Sequence, residues 1–159
     1  MAQSVYIESS VISYLVARPN RDVVVAARQA ITETWWQNQR AESDLFVSAL
    51  VVQEIAQGDV AVSEKRLKAV ENIPFLATSP EAQRLAEDLL AKGAVPANSE
   101  EDALHIAFAA AGGIEFLLTW NFKHINNAQT KAYITTVVES HGFACPIMCS
   151  PEELGAEIW

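Results

Sequence analysis

The architecture of this chain follows from one segment, which begins Ser99-Glu100-Glu101-Asp102-Ala103-Leu104-His105 and continues through Gly112-Gly113 to Phe116-Leu117-Leu118-Thr119. Its first part predicts a helix. Ser99 is placed to cap it, acidic residues follow at the positive end of the helix dipole, and Gly112-Gly113 supplies the left-handed residue that ends helices. Phe116–Thr119 is a short apolar run without alternation, which is typical of a strand buried on both faces. A helix leading into such a strand is half of a crossover unit.

The same alternation of helix and strand extends along the whole chain. Short β-rich runs predict the other strands of a sheet of about five, at Val5–Ile7, Leu45–Val47, Pro74–Ala77 and Pro146–Cys149. Helical patterns occupy Val11–Leu15, Arg21–Arg40, Ala49–Ile55, Val62–Asn72, Ser79–Lys92 and Asn126–Ser140, and a last turn follows Ser150. This order predicts one three-layer α/β/α domain over residues 1–159, with a central parallel sheet and right-handed crossovers.

Composition narrows the class of protein. Half of the 159 residues are hydrophobic and 19% are charged, as in a globular domain. No apolar run approaches the roughly 20 residues that cross a bilayer, and no signal peptide is visible, so we expect no membrane association and a cytoplasmic location. Cys145 and Cys149 lack nearby histidines, so they are expected as small apolar residues rather than zinc ligands.

The net charge and the motifs limit the classes of function that we expect for this chain. The net charge of -9 argues against a protein that binds nucleic acid by broad phosphate neutralisation. It still permits a nuclease whose carboxylates are partly neutralised by metal ions, and it suits a basic partner protein. Neither a Gly-x-Gly-x-x-Gly turn after the first strand nor a Walker-type Gly-Lys-Ser/Thr occurs, so nucleotide binding by those routes is not expected.

Polar side chains follow the carboxyl ends of several predicted strands. Glu8 and Ser10 follow the first, Glu54 lies in the helix after the second, Asp102 opens the central helix, and Asn121 follows the strand after it. The carboxyl ends of parallel strands share one edge of a sheet, so we expect these groups to line one crevice. Three of these residues also have a plainer interpretation: Glu8 as a solvated acid ending an edge strand, Glu54 as a polar residue on a helix, and Asn121 as a turn residue.

Two residues of the central helix leave their roles open. Asp102 shares a helical stripe with His105, and it opens a face that otherwise turns inward. Because it lies three residues after Ser99, its alternative role is to complete a variant capping box. His105 is expected as a hydrogen-bonded core histidine rather than a general base.

Three carboxylates and an amide are the hard oxygen ligands that suit Mg²⁺ or Mn²⁺. Crowded carboxylates repel one another unless a cation is present. A divalent ion at such a site activates water and stabilises charge on a phosphate, so the pattern predicts hydrolysis of phosphodiester bonds.

The most specific motifs of the chain are Tyr6–Ser10, Ser48–Glu54, Asp102–Ala107, Leu117–Ile125 and Cys149–Leu154. On these motifs, and over essentially its whole length, the chain resembles PIN-domain proteins, and specifically the VapC-like toxins of bacterial toxin–antitoxin pairs. The resemblance implies a metal-dependent endoribonuclease that forms a homodimer and is held inactive by a cognate antitoxin protein.

The resemblance also assigns residues. It implies that Glu8, Glu54 and Asp102 are the catalytic acids that hold Mg²⁺ or Mn²⁺, with Asn121 as a fourth ligand and Ser10 orienting the first acid. The first acid of the family is typically aspartate and the fourth position is often aspartate, so Glu8 and Asn121 are departures. They favour one well-formed ion site over two.

Two further expectations concern binding. Lys123 and His124 follow Asn121 and are expected to contact RNA, with solvated surface side chains as the alternative. The alternative function is a catalytically weak or silent PIN-fold module that acts through protein–protein contacts. Trp35 or Trp36 would serve such contacts, since the tandem predicts one ring in the core and one partly exposed.

Overall fold

The structure is a computed structural model, and it describes residues 2–155. Within that range the chain forms four strands and seven helices in alternating order. The strands are β1 (Gln3–Ile7), β2 (Ser43–Phe46), β3 (Phe116–Leu118) and β4 (Ile147–Cys149). The helices are α1 (Ser9–Val16), α2 (Val23–Asn38), α3 (Ala49–Ile55), α4 (Val60–Val70), α5 (Pro80–Ala91), α6 (Glu100–Ala111) and α7 (Lys131–Ser140). The predicted α/β fold with a parallel sheet is confirmed.

The four strands form one parallel sheet in the order β2-β1-β3-β4. In register, Val5 of β1 pairs with Leu45 of β2 and with Phe116 of β3. Consecutive residues Leu117 and Leu118 are both fully buried, and successive strand side chains point to opposite faces, so helices cover both faces of the sheet. The carboxyl ends of β1 and β3 therefore lie side by side at one edge.

The predicted strand at Pro74–Ala77 is reduced to a single bridge. Phe75 pairs with Val47, whose N–H donates to the Pro74 carbonyl and whose carbonyl accepts from the Leu76 N–H. Proline has no N–H to extend such a ladder, and Phe75 is exposed, so the segment gains little by pairing further. The sheet consequently has four strands, and this segment touches its β2 edge.

Helix boundaries differ from the prediction where side chains compete for backbone groups. The predicted helix from Asn126 begins only at Lys131, because Asn121 and Asn127 accept backbone N–H groups and hold the preceding residues in turns. Ser99 occupies the predicted N-cap position of α6, but its side chain makes no capping hydrogen bond. The predicted end of α6 is confirmed, since Gly113 has a left-handed φ of 69°.

Helix α6 lies in the centre of the fold, with Ala103, Ile106 and Ala107 fully buried. The tryptophan tandem divides as predicted: Trp35 is buried, and Trp36 is half-buried beneath the Arg40 guanidinium. No helix within residues 2–155 combines the length and apolar character needed to cross a membrane.

The difference between two helix starts predicts a difference in stability. Ser79 accepts the Ala82 N–H and caps α5, whereas Ser99 does not cap α6. We expect Ser79→Ala to lower the free energy of unfolding by about 1 kcal/mol and Ser99→Ala to lower it less. Urea denaturation of both variants measures this, and equal losses would show that Ser99 acts as a cap in solution.

Candidate functional site

Glu8 lies where β1 passes into α1 at the carboxyl edge of the sheet. Its carboxylate caps α1 by accepting the Ser10 N–H at 3.2 Å, and its other oxygen accepts the Ser10 hydroxyl. The Thr119 hydroxyl, which follows β3, donates to that same oxygen at 2.6 Å. Only 6% of Glu8 is exposed, so these hydrogen bonds hold a nearly buried carboxylate in one position.

Glu54 reaches the same edge from α3. Its Oε1 atom accepts the Ser9 hydroxyl and lies 2.6 Å from Nε2 of His105, a fully buried residue of α6. The Glu54 side chain is 28% exposed, so it forms the solvent-facing side of the pair. Two carboxylates from different elements therefore meet beside a buried imidazole.

The candidate ligand atoms of Glu8, Glu54 and His105 all lie within 4.8 Å of one another. These three side chains form the acidic site. Carboxylate oxygens suit hard divalent cations, and two carboxylates at this separation repel each other unless positive charge lies between or beside them. The two carboxylates, beside the His105 imidazole, could therefore hold a metal ion.

A buried hydrogen-bond chain extends from the acidic site into the core. The Tyr6 hydroxyl lies 2.7 Å from Nδ1 of His105 and 2.8 Å from the Ser48 hydroxyl oxygen, which also accepts the Val51 N–H as the cap of α3. Both ring nitrogens of His105 are thus engaged, one by Tyr6 and one by Glu54. The chain fixes the plane of the imidazole and, through it, the Glu54 carboxylate.

Electrostatics favours an ion pair between Glu54 and His105. Burial raises the pKa of Glu54, but the hydrogen bond and charge of His105 and the hydrogen bond from Ser9 lower it overall. Burial lowers the pKa of His105, but the hydrogen bond from Glu54 and the charges of the surrounding acids raise it overall. Burial raises the pKa of Tyr6 far above its ordinary value, so the phenol stays protonated.

Asp102 lies outside the group that meets within 4.8 Å, as far as residues 2–155 are concerned. Its Oδ1 accepts the Asn121 amide at 3.0 Å, and its Oδ2 lies 2.8 Å from Nδ1 of His124. Asp102 forms no capping box with Ser99, so its capping interpretation is wrong. Its charge still acts on His105, one turn along α6, so the two acidic groups are electrostatic neighbours.

The structure distributes the residues predicted from the sequence over two neighbouring groups. Ser10 contacts Glu8, while Asn121 and His124 contact Asp102, and Lys123 is exposed in the loop between them. The hydrogen-bond partners Ser9, Thr119 and Tyr6 were not predicted. Thr119 follows β3 directly, so the strand-end criterion that selects Asn121 also points to it.

His105 was predicted as a hydrogen-bonded core histidine, and its complete burial with both nitrogens bonded confirms this. Its contact with Glu54 was not predicted. The i, i+3 spacing from Asp102 places it on the inward stripe, but the reach of Glu54 from another helix leaves no trace in the sequence.

Comparison with known protein families identifies the family of this chain. The sequence profile of the PIN domain matches residues 5–128, which include every residue of the acidic site together with Asp102, Asn121 and His124. No curated protein matches the chain.

The contact between Glu54 and His105 predicts how the pKa of His105 depends on the Glu54 charge. We expect Glu54→Gln to lower the pKa of His105, because the substitution removes a negative charge while burial, which favours the neutral imidazole, remains. An NMR titration of the His105 ring measures this. Asp88→Asn, which alters a carboxylate bonded to His141 instead, is the matched control and should leave the His105 titration unchanged.

The same pair predicts how stability depends on pH. The raised pKa of His105 gives stability that is complete below its ordinary value of 6.5 and is lost as pH rises through the raised value. The lowered pKa of Glu54 gives stability that is present above 4.5 and is lost as pH falls through the lowered value. Urea denaturation across pH should show both losses in the wild type. Their persistence in Glu54→Gln would contradict the ion pair.

Proposed function

The chain belongs to the PIN domain family, and from this we propose that it is a metal-dependent endoribonuclease. The observation that carries the proposal is the approach of the Glu8 and Glu54 carboxylates, with His105, to within 4.8 Å at the carboxyl edge of the sheet. Two carboxylates this close repel each other, a divalent cation would offset that repulsion, and a parallel sheet binds its ligands at this edge.

The donor atoms fit Mg²⁺ or Mn²⁺. Glu8 and Glu54 would hold the ion through carboxylate oxygens, which such cations prefer. His105 has no free ring nitrogen, since Tyr6 and Glu54 occupy both, so its role is to orient Glu54 rather than to bind the metal. Hydrogen-bonded carboxylates of this kind are typical of metal sites.

When bound, the ion supplies a water of lowered pKa and positive charge opposite the phosphate. The chain's own residues hold the acids in place: Ser10 and Thr119 fix Glu8, and His105 fixes Glu54. We propose that Asp102 and Asn121 complete the ligand set from α6 and the β3 end. The Asn121 amide donates to Asp102 and its oxygen accepts the N–H groups of Lys123 and His124, so Asn121 would exchange those bonds for the ion.

The proposed substrate is RNA. The exposed Lys123 places positive charge in the loop after β3, beside Asn121 and His124, where a phosphate would approach the acids. His124 would contribute to RNA binding through Asp102, to which its ring is hydrogen-bonded. With a net charge of -9, the chain would depend on such local contacts rather than on a broad basic surface.

We further propose that the nuclease is the toxin of a toxin–antitoxin pair, acts in the cytoplasm as a homodimer, and is silenced by a cognate antitoxin protein. The support is the family membership and the motif resemblance at the sites of the three acids. A neighbouring reading frame for a small DNA-binding protein, growth arrest on expression, and relief by co-expression of that neighbour would each support this role.

A second candidate function has an observation in its favour. Both oxygens of Asp102 are engaged, by Asn121 and His124, and Asn121 is neutral where an acid is common. A catalytically silent module acting through protein contacts would retain such a network. Trp36, which is half-buried, is the tryptophan of the tandem that would make such contacts, since Trp35 is buried.

Substitution of Asp102 separates the two functions. We expect Asp102→Asn, which keeps the side-chain shape, to lower metal-dependent RNA cleavage by at least about 100-fold and to abolish growth arrest. Asp44→Asn, which changes an exposed carboxylate on β2, is the matched control and should keep full activity. If the wild type cleaves RNA and Asp102→Asn cleaves it equally well, Asp102 is not part of the catalytic machinery. If neither cleaves, the silent module is favoured.

A further inference from the structure

Four side chains form a cluster that the acidic site does not use. The Arg28 guanidinium carbon lies 5.4 Å from the ring centroid of Trp120 and 5.1 Å from that of Phe122, and the guanidinium donates to the Tyr14 hydroxyl at 3.3 Å. We call Tyr14, Arg28, Trp120 and Phe122 the aromatic–arginine patch. It joins α1, α2 and the loop after β3.

The patch is rigid at its base and open at one ring. Trp120 is only 5% exposed, and its indole N–H donates to the buried Thr32 hydroxyl at 2.8 Å. Phe122 packs edge-on against it, with ring centroids 5.9 Å apart and planes at 83°. Phe122 remains 37% exposed, so a fixed indole supports an accessible aromatic ring.

The patch adjoins the acidic site through direct bonds. The backbone N–H of Trp120 donates at 2.8 Å to the Ser10 hydroxyl, which itself donates to Glu8. Tyr14 lies on α1 about one turn, or roughly 5–6 Å, beyond Ser10. A nucleic-acid strand that passes the acidic site along the loop after β3 would therefore contact the patch next.

The positive charge of the patch is not neutralised by an acid. Between residues 2 and 155, no carboxylate oxygen lies within 4.0 Å of the Arg28 guanidinium, although the chain carries 20 acidic residues. The guanidinium is instead held on aromatic faces and by a hydroxyl. An arginine oriented in this way keeps its charge for an external anion.

We propose that the aromatic–arginine patch is a subsite for single-stranded RNA beside the acidic site, and this inference rests on the proposed function. One unpaired base stacks on Phe122, and Arg28 contacts a neighbouring phosphate. Stacking on an aromatic ring requires a base outside a duplex, so the subsite selects single strands. An aromatic ring and an unpaired guanidinium, side by side next to a phosphodiester-cleaving site, match a nucleotide better than a peptide segment.

Binding of a defined RNA tests the stacking. The probe is a short, fluorescein-labelled oligo(A) RNA, single-stranded or annealed to its complement, titrated with the full chain in Ca²⁺ while a denaturing gel reports whether the RNA stays intact. We expect Phe122→Leu to raise the Kd for the single strand about tenfold and Phe122→Trp to restore it. Phe75→Leu, which alters another exposed phenylalanine at the β2 edge, should leave the Kd unchanged.

Salt dependence tests the phosphate contact. We expect Arg28→Gln to reduce the slope of log Kd against log salt concentration by about 0.7. Arg40→Gln is the matched control, because Arg40 also lies over a tryptophan ring, 4.8 Å from the Trp36 centroid, but precedes β2 at the opposite edge of the sheet. It should leave the slope unchanged. Circular dichroism of each variant checks that the fold is kept.

The outcomes separate the subsite from the activity. Equal Kd values for Phe122→Leu and the wild type, an unchanged slope for Arg28→Gln, or equal affinity for the duplex would each overturn the subsite, and a patch that serves a protein partner gives that result. A wild type that binds RNA through Phe122 and cleaves nothing retains the subsite and loses the proposed activity. A wild type that cleaves RNA, with unaltered affinity in Phe122→Leu, retains the proposed activity and loses the subsite.

Discussion

The close approach of two carboxylates, Glu8 and Glu54, is the constraint on which the functional end of this fold depends. Each accepts several hydrogen bonds: from hydroxyls and a backbone N–H for Glu8, and from a hydroxyl and an imidazole, both at Oε1, for Glu54. Like charges in a partly buried position are unfavourable, so these donors are what keeps the acids together when no cation is bound. The buried His105 contributes most directly, because it is bonded to Glu54 and its raised pKa favours the positively charged imidazole beside the repelling pair.

The sheet order explains why these groups can meet. Strand β1 is internal, with β2 on one side and β3 on the other, so the end of β1 at Glu8 is flanked by residues leaving both neighbours. Thr119 arrives from β3 and Glu54 from the helix after β2. Tyr6, on β1 itself, connects His105 to the Ser48 cap of α3. The same core contacts that hold α3 and α6 on the sheet therefore also aim the acids.

Local sequence rules predicted much of this fold. They gave wrong results where the structure depended on how far a side chain extends or on which hydrogen-bond partner it contacts. The alternation of buried runs and helices gave the parallel sheet, because burial on both faces leaves a plain apolar signal at Leu117 and Leu118. The fifth strand failed because Pro74 limits pairing to one bridge. The Ser99 side chain makes no capping hydrogen bond because its hydroxyl lies near Asn98 and His124 instead. The strand-end rule located Glu8, Glu54 and Asn121 at one edge, but which acids touch depends on side-chain conformations. The pairing of Asp102 with His124, and of Glu54 with His105, therefore lay beyond the sequence.

The most direct test of the acidic site is calorimetric titration of the full chain with Mn²⁺, comparing the wild type with Glu8→Gln. Glutamine keeps the shape of the side chain and an oxygen to cap α1, so the comparison isolates the negative charge. We expect the wild type to bind one ion per chain, and Glu8→Gln to bind it at least about tenfold more weakly. Absence of binding at millimolar Mn²⁺, or equal affinity in the two proteins, would contradict a metal site built on Glu8 and Glu54.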